Sequence, residues 1–297
     1  MRDTQTAHHA PHHADALPRT FLVGCPKSGT TWLQGVLEAH PQVCSRGESS
    51  FGLLLVSPIF ELLKSYNDQQ RAGESNTFSG EDALDIARTA IHTLQRKWVD
   101  QLPEPERIRV IADKTPEHAL ALDPLNAVFP AMKVIHIIRD GRDCIVSGWH
   151  HNIRKEEAAF RKRFPTMERY AYHFTKHNWV PYINRARQWG QTHPQRYLEV
   201  RYEHLLESAH AETARIYRFL GVDAGDALID QIIERTSFKS LSGGRDPGQV
   251  NNASHFRKGV SGAWREELDD ASVRTFEQLA GELMDTLGYE RSRAMSA

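Results

Sequence analysis

The sequence predicts an α/β protein: a parallel sheet with helices on both faces. Three observations carry that expectation. Four short apolar runs rich in β-branched residues read as buried strands, namely Phe21–Val23, Val110–Ala112, Val134–Ile138 and Tyr197–Val200. Longer segments of helical period separate them, and strands alternating with helices build a parallel sheet. Each run leads into cations, hydroxyls or an aromatic ring, at the strand ends where open α/β sheets bind ligands.

Composition narrows the classes. A chain of 297 residues can bury one large core or two small ones. With 40% hydrophobic and 25% charged residues it is ordinary for a soluble globular protein, which argues against a mostly disordered chain, a collagen-like fibre and a disulfide scaffold. A formal net charge of -1 supplies no global field for nucleic acid or anionic lipid, so only a local basic pocket is open. Cys25, Cys44 and Cys144 form no paired framework and read as free thiols of a reducing compartment. The longest apolar stretch, around Phe51–Phe60, is broken by Ser57 and Pro58 and falls short of the roughly 20 residues of a membrane helix. No apolar signal core stands at the N-terminus, so the expected setting is cytoplasmic.

Residues 1–18, with His8, His9, His12 and His13, read as a solvated tail; no cysteine or carboxylate cage accompanies the histidines. The folded domain is expected over 19–290. Its first element, Phe21–Trp32, is a strand, a tight loop (Pro26-Lys27-Ser28-Gly29) and a helix start. Trp32, Leu33, Val36 and Leu37 recur at helical spacing, and the helix should stop near His40-Pro41. Gly29 permits close backbone approach to an anion, and the N–H groups at the helix start favour one. Thr30 and Thr31 add hydroxyls and Lys27 a positive charge. The loop is not the nucleotide triphosphatase pattern: Gly24 and Gly29 have its spacing, but Thr30 stands where its lysine should be. Moreover, Val134–Ile138 ends in Arg139 and not in a magnesium-holding aspartate. A phosphate cradle without a metal is therefore favoured over a magnesium-dependent small-molecule kinase.

Cys25-Pro-Lys-Ser-Gly-Thr-Thr-Trp32 resembles the 5′-phosphosulfate loop of the sulfotransferases that use 3′-phosphoadenylyl sulfate (PAPS). Ile137–Ser147 is similar to that family's 3′-phosphate segment, with eight residues from Arg139 to Ser147. Arg139 is suited to phosphate by its paired donors, and Ser147 adds a hydroxyl two turns into the next helix. Arg142 and Asp143 read as structural pairs. Phe256-Arg-Lys-Gly-Val-Ser-Gly-Ala-Trp264 resembles the C-terminal motif of the cytosolic branch, and a loop-like stretch, 242–252, precedes it. The segment at Tyr202 and the Thr236-Ser237-Phe238 segment are similar to further family motifs. The matched blocks run from about 20 to 265 in the family's order.

The resemblance implies a single α/β domain of the P-loop-like sulfotransferase fold and transfer of a sulfuryl group from PAPS, without a metal, releasing 3′-phosphoadenosine 5′-phosphate (PAP). It implies that Lys27, Ser28, Gly29, Thr30 and Thr31 hold the 5′ side. Arg139, Ser147, Phe256, Arg257, Lys258 and Gly259 would hold the 3′-phosphate. Trp32, Tyr202, Thr236, Ser237 and Phe238 would surround the adenine. Lys27 would stabilise the leaving oxygen, with Ser147 holding it back until acceptor binds, and Lys114 would touch the sulfonate. The cytosolic branch reads Lys-Thr-His, but here Pro116 follows Lys114-Thr115, so its histidine base is replaced. Glu48, in a context similar to the tyrosylprotein and carbohydrate branches, is the favoured base, with His118 the alternative. A non-catalytic PAP-binding relative stays open on the same ground. Residues Trp149–Trp189 should form helices and a lid over the acceptor. That acceptor is expected to be a small molecule bearing a hydroxyl or amine; Phe51–Ile59 is either a wall for it or core. The family's dimer motif is not found near the C-terminus, and the sequence sets no oligomeric state.

Overall fold

Alternation along the first strand sets the layers. In the computed structural model, which describes residues 12–70, 76–254 and 256–292, β1 (Arg19–Gly24) is buried along its full length. Phe21 and Val23 enter the core on one face and Leu22 the core on the other, as the period of two requires. Around it lie β2 (Val43–Gly47), β3 (Val110–Lys114), β4 (Lys133–Ile138) and β5 (Tyr197–Arg201), all parallel, in the order β2-β3-β1-β4-β5. The four expected strands are present. The fifth, β2, sits at the edge and has only Val43 and Cys44 as apolar residues, too few to announce a strand.

The helices follow the predicted alternation. They are α1 (His13–Ala16), α2 (Thr30–Glu38), α3 (Ser57–Gln69), α4 (Gly80–Asp100), α5 (Leu122–Val128), α6 (Gly141–Arg163), α7 (Met167–Phe174) and α8 (Val180–Thr192). Then come α9 (Tyr202–Glu207), α10 (Ala209–Leu220), α11 (Asp226–Thr236), α12 (Phe238–Leu241), α13 (Trp264–Glu267) and α14 (Asp270–Leu287). One face of the sheet packs apolar residues from α2, α10 and α11; the other packs α4 to α8 and α14, with Trp179 and Phe276 in edge contact at 5.1 Å. A π-helical turn, Phe51–Val56, precedes α3. Phe51 and Val56 are core, whereas Leu54 is 73% exposed, so this stretch is core only in part. Among the described residues no helix is long and apolar enough to cross a membrane.

The expected tail needs correction at its C-terminal end. Residues 13–16 form α1, which packs on α4: Ala14 is fully buried and Arg96 donates to both carboxylate oxygens of Asp15 at 2.6 and 2.8 Å. His12 pairs with Asp100 at 3.0 Å. His8 and His9 lie outside the described residues.

Chain direction makes a crevice. After β1 the chain crosses to β2 on one side; after β4 it crosses to β5 on the other. Loops leaving the two neighbouring strands therefore diverge, and a crevice opens at their carboxyl ends. The register Gly24↔Ile137 sets the Lys27 loop beside Arg139, and Gly47↔Lys114 sets Glu48 beside Lys114.

Candidate active site

The loop after β1 is built from a tight turn and two left-handed residues. The Ser28 N–H donates to the Cys25 carbonyl at 3.1 Å, and Lys27 (φ 74°) and Gly29 (φ 96°) take positive φ before α2 begins at Thr30. At Gly29 a Cβ would stand 2.5 Å from the Tyr202 ring, so both space and backbone angle select glycine. Lys27, Thr30, Thr31 and Trp32 line a cavity of about 870 Å³ at the strand ends. Burial, and then Lys155 and Arg154, pull the Lys27 ammonium down to about 8.

Arg139 lines the same cavity beside the Lys27 loop. Its guanidinium donates to the Lys27 carbonyl at 3.4 Å and the Val260 carbonyl at 3.1 Å and lies 4.2 Å from the Tyr202 ring centroid. Its Nε is buried without a partner, a donor that an anion in this cavity would satisfy. Ser147, on α6, lines the same cavity. Asp143 lies 3.7 Å from Arg139 and accepts from the Gly262 and Trp264 N–H groups at 2.7 and 3.0 Å, tying the C-terminal segment to α6. Arg142 faces the other way, onto Asp140 and Glu277. Arg142 is thus structural, as expected, whereas Asp143 also lines the cavity beside Arg139.

An aromatic end adjoins the basic one. Trp32 and Tyr202 meet edge to face at 5.7 Å, and the Trp32 indole N–H donates to the Thr236 carbonyl at 2.9 Å. Thr236, Ser237 and Phe238 complete this part of the lining. A Cβ on Gly259 would lie 2.2 Å from the Phe238 ring, so this glycine lets the segment Phe256-Arg257-Lys258-Gly259 close flat over the cavity. Arg257 pairs with Glu267 at 2.8 Å, and Lys258 with Glu266 at 3.0 Å. His150 adds a 2.9 Å contact to Glu267. Burial raises the Glu267 pKa, but Arg257 and His150 outweigh it and hold the carboxyl below its ordinary range.

Glu48 lies within reach of the charges of Lys155 and Lys27. Its Oε1 accepts from Lys114 Nζ at 2.6 Å, and its N–H donates to the Lys114 carbonyl at 2.7 Å. The hydrogen bond and charge of Lys114 hold its pKa down. Exposure separates the partners: the Glu48 side chain is 71% exposed and lines the cavity, while that of Lys114 is 4% exposed and does not. Lys114 is thus brought to the carboxylate and not to the cavity wall where a sulfonate contact was expected. Lys27, Glu48 and Ser50 are the non-glycine residues with positive φ among the described residues, and all three line this cavity. Backbone strain of that kind concentrates at functional sites.

Two expected site residues turn inward. The Ser28 hydroxyl is buried 3.6 Å from Cys144 Sγ and its N–H is used in the turn, so it faces core and not ligand. His118 is fully buried, edge-on to Phe21 at 5.3 Å and 3.8 Å from Asp113, and does not line the cavity. The turn Pro116–Leu120 carries it into the core, while Pro116 and Glu117 stay on the cavity.

The sequence placed Trp149–Trp189 over the acceptor but did not single out one face of α6. His150, His151, Arg154 and Lys155 line the cavity together with Ser147. Their spacing from Ser147, at three, four, seven and eight residues, is one helical face, a signal that marking Ser147 alone left unused. Glu266 and Glu267, just past the motif that ends at Trp264, were also missed.

A sequence profile of the sulfotransferase family matches residues 18–226, more than two thirds of the chain. The chain belongs to the sulfotransferase family. Sulfotransferase 1A1 of Bos taurus is 25% identical over 280 residues, covering 89% of this chain and 82% of its own. Nodulation protein NoeE of Sinorhizobium fredii is 26% identical over 292 residues, 92% of this chain and 66% of its own. Among solved structures, mouse sulfotransferase SULT7A1 complexed with PAP has a TM-score of 0.57 at 20% identity, covering 91% of this chain and 86% of its own. Retinol dehydratase in a complex with retinol and PAP has 0.52 at 18% identity, with coverages of 93% and 84%. At such identities the structural likeness shows the sulfotransferase fold.

Proposed function

We propose that this sulfotransferase moves a sulfuryl group from PAPS to a hydroxyl or amine of a small-molecule acceptor. The observation that carries the reading is one cavity lined by both Lys27 and Arg139 together with Trp32, Tyr202 and Phe238. Two anionic groups and a base fit that order of chemistry, and SULT7A1 and retinol dehydratase both carry PAP in their solved complexes. The unsatisfied Arg139 Nε fits a nucleotide phosphate, and Gly29 and Gly259 let the Tyr202 and Phe238 rings pack against bare backbone in the cavity lining.

In the reaction the acceptor oxygen attacks sulfur and the bond from sulfur to the phosphate oxygen breaks. Lys27, on the loop, balances the negative charge that gathers on that leaving oxygen. Glu48 accepts the proton of the acceptor hydroxyl. Lys114 is a positioning residue: it keeps Glu48 ionised and points it from the end of β2. Arg139, Ser147, Arg257 and Lys258 hold the 3′-phosphate, and PAP departs as product.

Thermal unfolding with PAP, AMP, and ATP with and without Mg²⁺ tests the donor. Ligand at 100 times its Kd adds about 2.7 kcal/mol of stability. PAP should stabilise without a metal and AMP should do little. Stabilisation by ATP with Mg²⁺ alone would overturn the reading in favour of a kinase.

A further inference from the structure

A second cavity, of about 590 Å³, adjoins the first and shares Pro26, Lys27, His151 and Lys155 with it. Its floor is aromatic. Phe160, Phe164, Tyr170 and Phe174 are all buried and meet through Tyr170 at centroid distances of 5.2, 5.3 and 5.7 Å. A break in α6 at Glu156, where φ is -150° and ψ 62°, turns the end of the helix so that Arg163 joins the same lining.

Its rim carries more cations than carboxylates. Lys27, Lys155 and Arg163 face a single lining carboxylate, Glu156; burial, then His177 and Arg163, lower the His173 pKa, so its imidazole favours the neutral form. Among the described residues no carboxylate lies within 4 Å of Lys155 or Arg163, whose guanidinium instead sits 5.1 Å from the Phe164 ring centroid. The contrast with the first cavity is informative. There Arg257, Lys258 and His150 each have Glu266 or Glu267 as a counter-charge. Lys155 and Arg163, with no carboxylate at salt-bridge distance and an apolar floor beside them, make a site for a flat apolar body that ends in a negative charge.

We infer that the second cavity takes an acceptor carrying an anionic group, a carboxylate or a phosphate ester, which Lys155 and Arg163 bind while the apolar body lies on Phe160, Phe164 and Phe174. This deepens the proposed sulfuryl transfer and rests on it for one point, that the acceptor's hydroxyl end lies toward Lys27. The surplus of positive charge is also felt at Lys27, where Lys155 and Arg154 add to the effect of burial in favouring the neutral amine.

Binding isotherms on the full chain, with and without saturating PAP, test the inference. The probes are 4-hydroxybenzoate, 4-hydroxyphenylacetate and 3-(4-hydroxyphenyl)propionate, each against its primary amide, which keeps the shape and removes the charge. At least one acid should bind about tenfold more tightly than its amide, and that preference should shrink as salt rises. Arg163→Gln, a change at an exposed residue that lines only the second cavity, should bring the acid-to-amide ratio within about twofold of one, and PAP affinity should stay put. Lys155→Gln should lower the ratio as well. Amides binding as well as acids, no acid binding at any soluble concentration, or a ratio insensitive to both variants would each overturn the inference. Acid preference in a protein that fails to bind PAP would leave this cavity assigned and remove the donor instead.

Discussion

PAP affinity is expected to fall as pH rises above neutrality, with Lys27 setting the slope. Burial first, then the like charges of Lys155 and Arg154, lower Lys27 from the ordinary 10.5 to about 8. A phosphate placed beside it favours the ammonium and returns the pKa toward the ordinary value. The bound state then carries more protons than the free state wherever pH exceeds about 8, so binding takes up a proton and weakens with rising pH. Free protein with a pKa near 8 is about nine-tenths protonated at pH 7 and one-tenth at pH 9, which makes the expected rise in Kd about tenfold between them. The nucleotide's own phosphates, with a second pKa near 6, are already dianionic in this range and add no slope. Calorimetry in two buffers of different ionisation enthalpy measures both Kd and proton uptake, which should pass about half a proton at pH 8. Arginine stays charged throughout, so Lys27→Arg should flatten the profile. A Kd constant within twofold from pH 7 to 9, or an undiminished slope in Lys27→Arg, would refute the reasoning.

Three further outcomes follow from the geometry. Gly29→Ala puts a Cβ 2.5 Å from the Tyr202 ring at φ 96°, so a loss of about 1–3 kcal/mol in stability and at least tenfold in PAP affinity is expected by thermal unfolding and calorimetry. Arg139→Ala removes a buried charge pair to the ligand and should weaken PAP by about 2–5 kcal/mol; an unchanged Kd would remove Arg139 from the phosphate site. Glu48→Gln should lower kcat about 10²–10⁴-fold while PAP Kd moves little, and wild-type kcat should drop only as pH falls below the ordinary carboxylate range, because Lys114 holds Glu48 ionised there. A larger loss in Glu117→Gln, the other carboxylate beside Pro116, would transfer the base role to Glu117.

The sequence by itself determined the features that local spacing encodes. Strand, tight loop and helix over 21–37 follow from a β-branched run, a glycine and a helical apolar repeat, all within one stretch of chain. The spacing from Arg139 to Ser147 works likewise, because one strand end and two helical turns set it. Tertiary structure alone decided what depends on residues far apart. Parallel pairing of an edge strand with β3 brings Glu48 to Lys114, 66 positions away. Packing turns Ser28 and His118 into the core, since their neighbours in space, Cys144 and Phe21, come from other elements. The charge state of Lys27 and the carboxylates that face Arg257 and Lys258 are of the same kind. A motif specifies which groups are available, whereas burial and non-local neighbours decide which of them meet a ligand and in what protonation state.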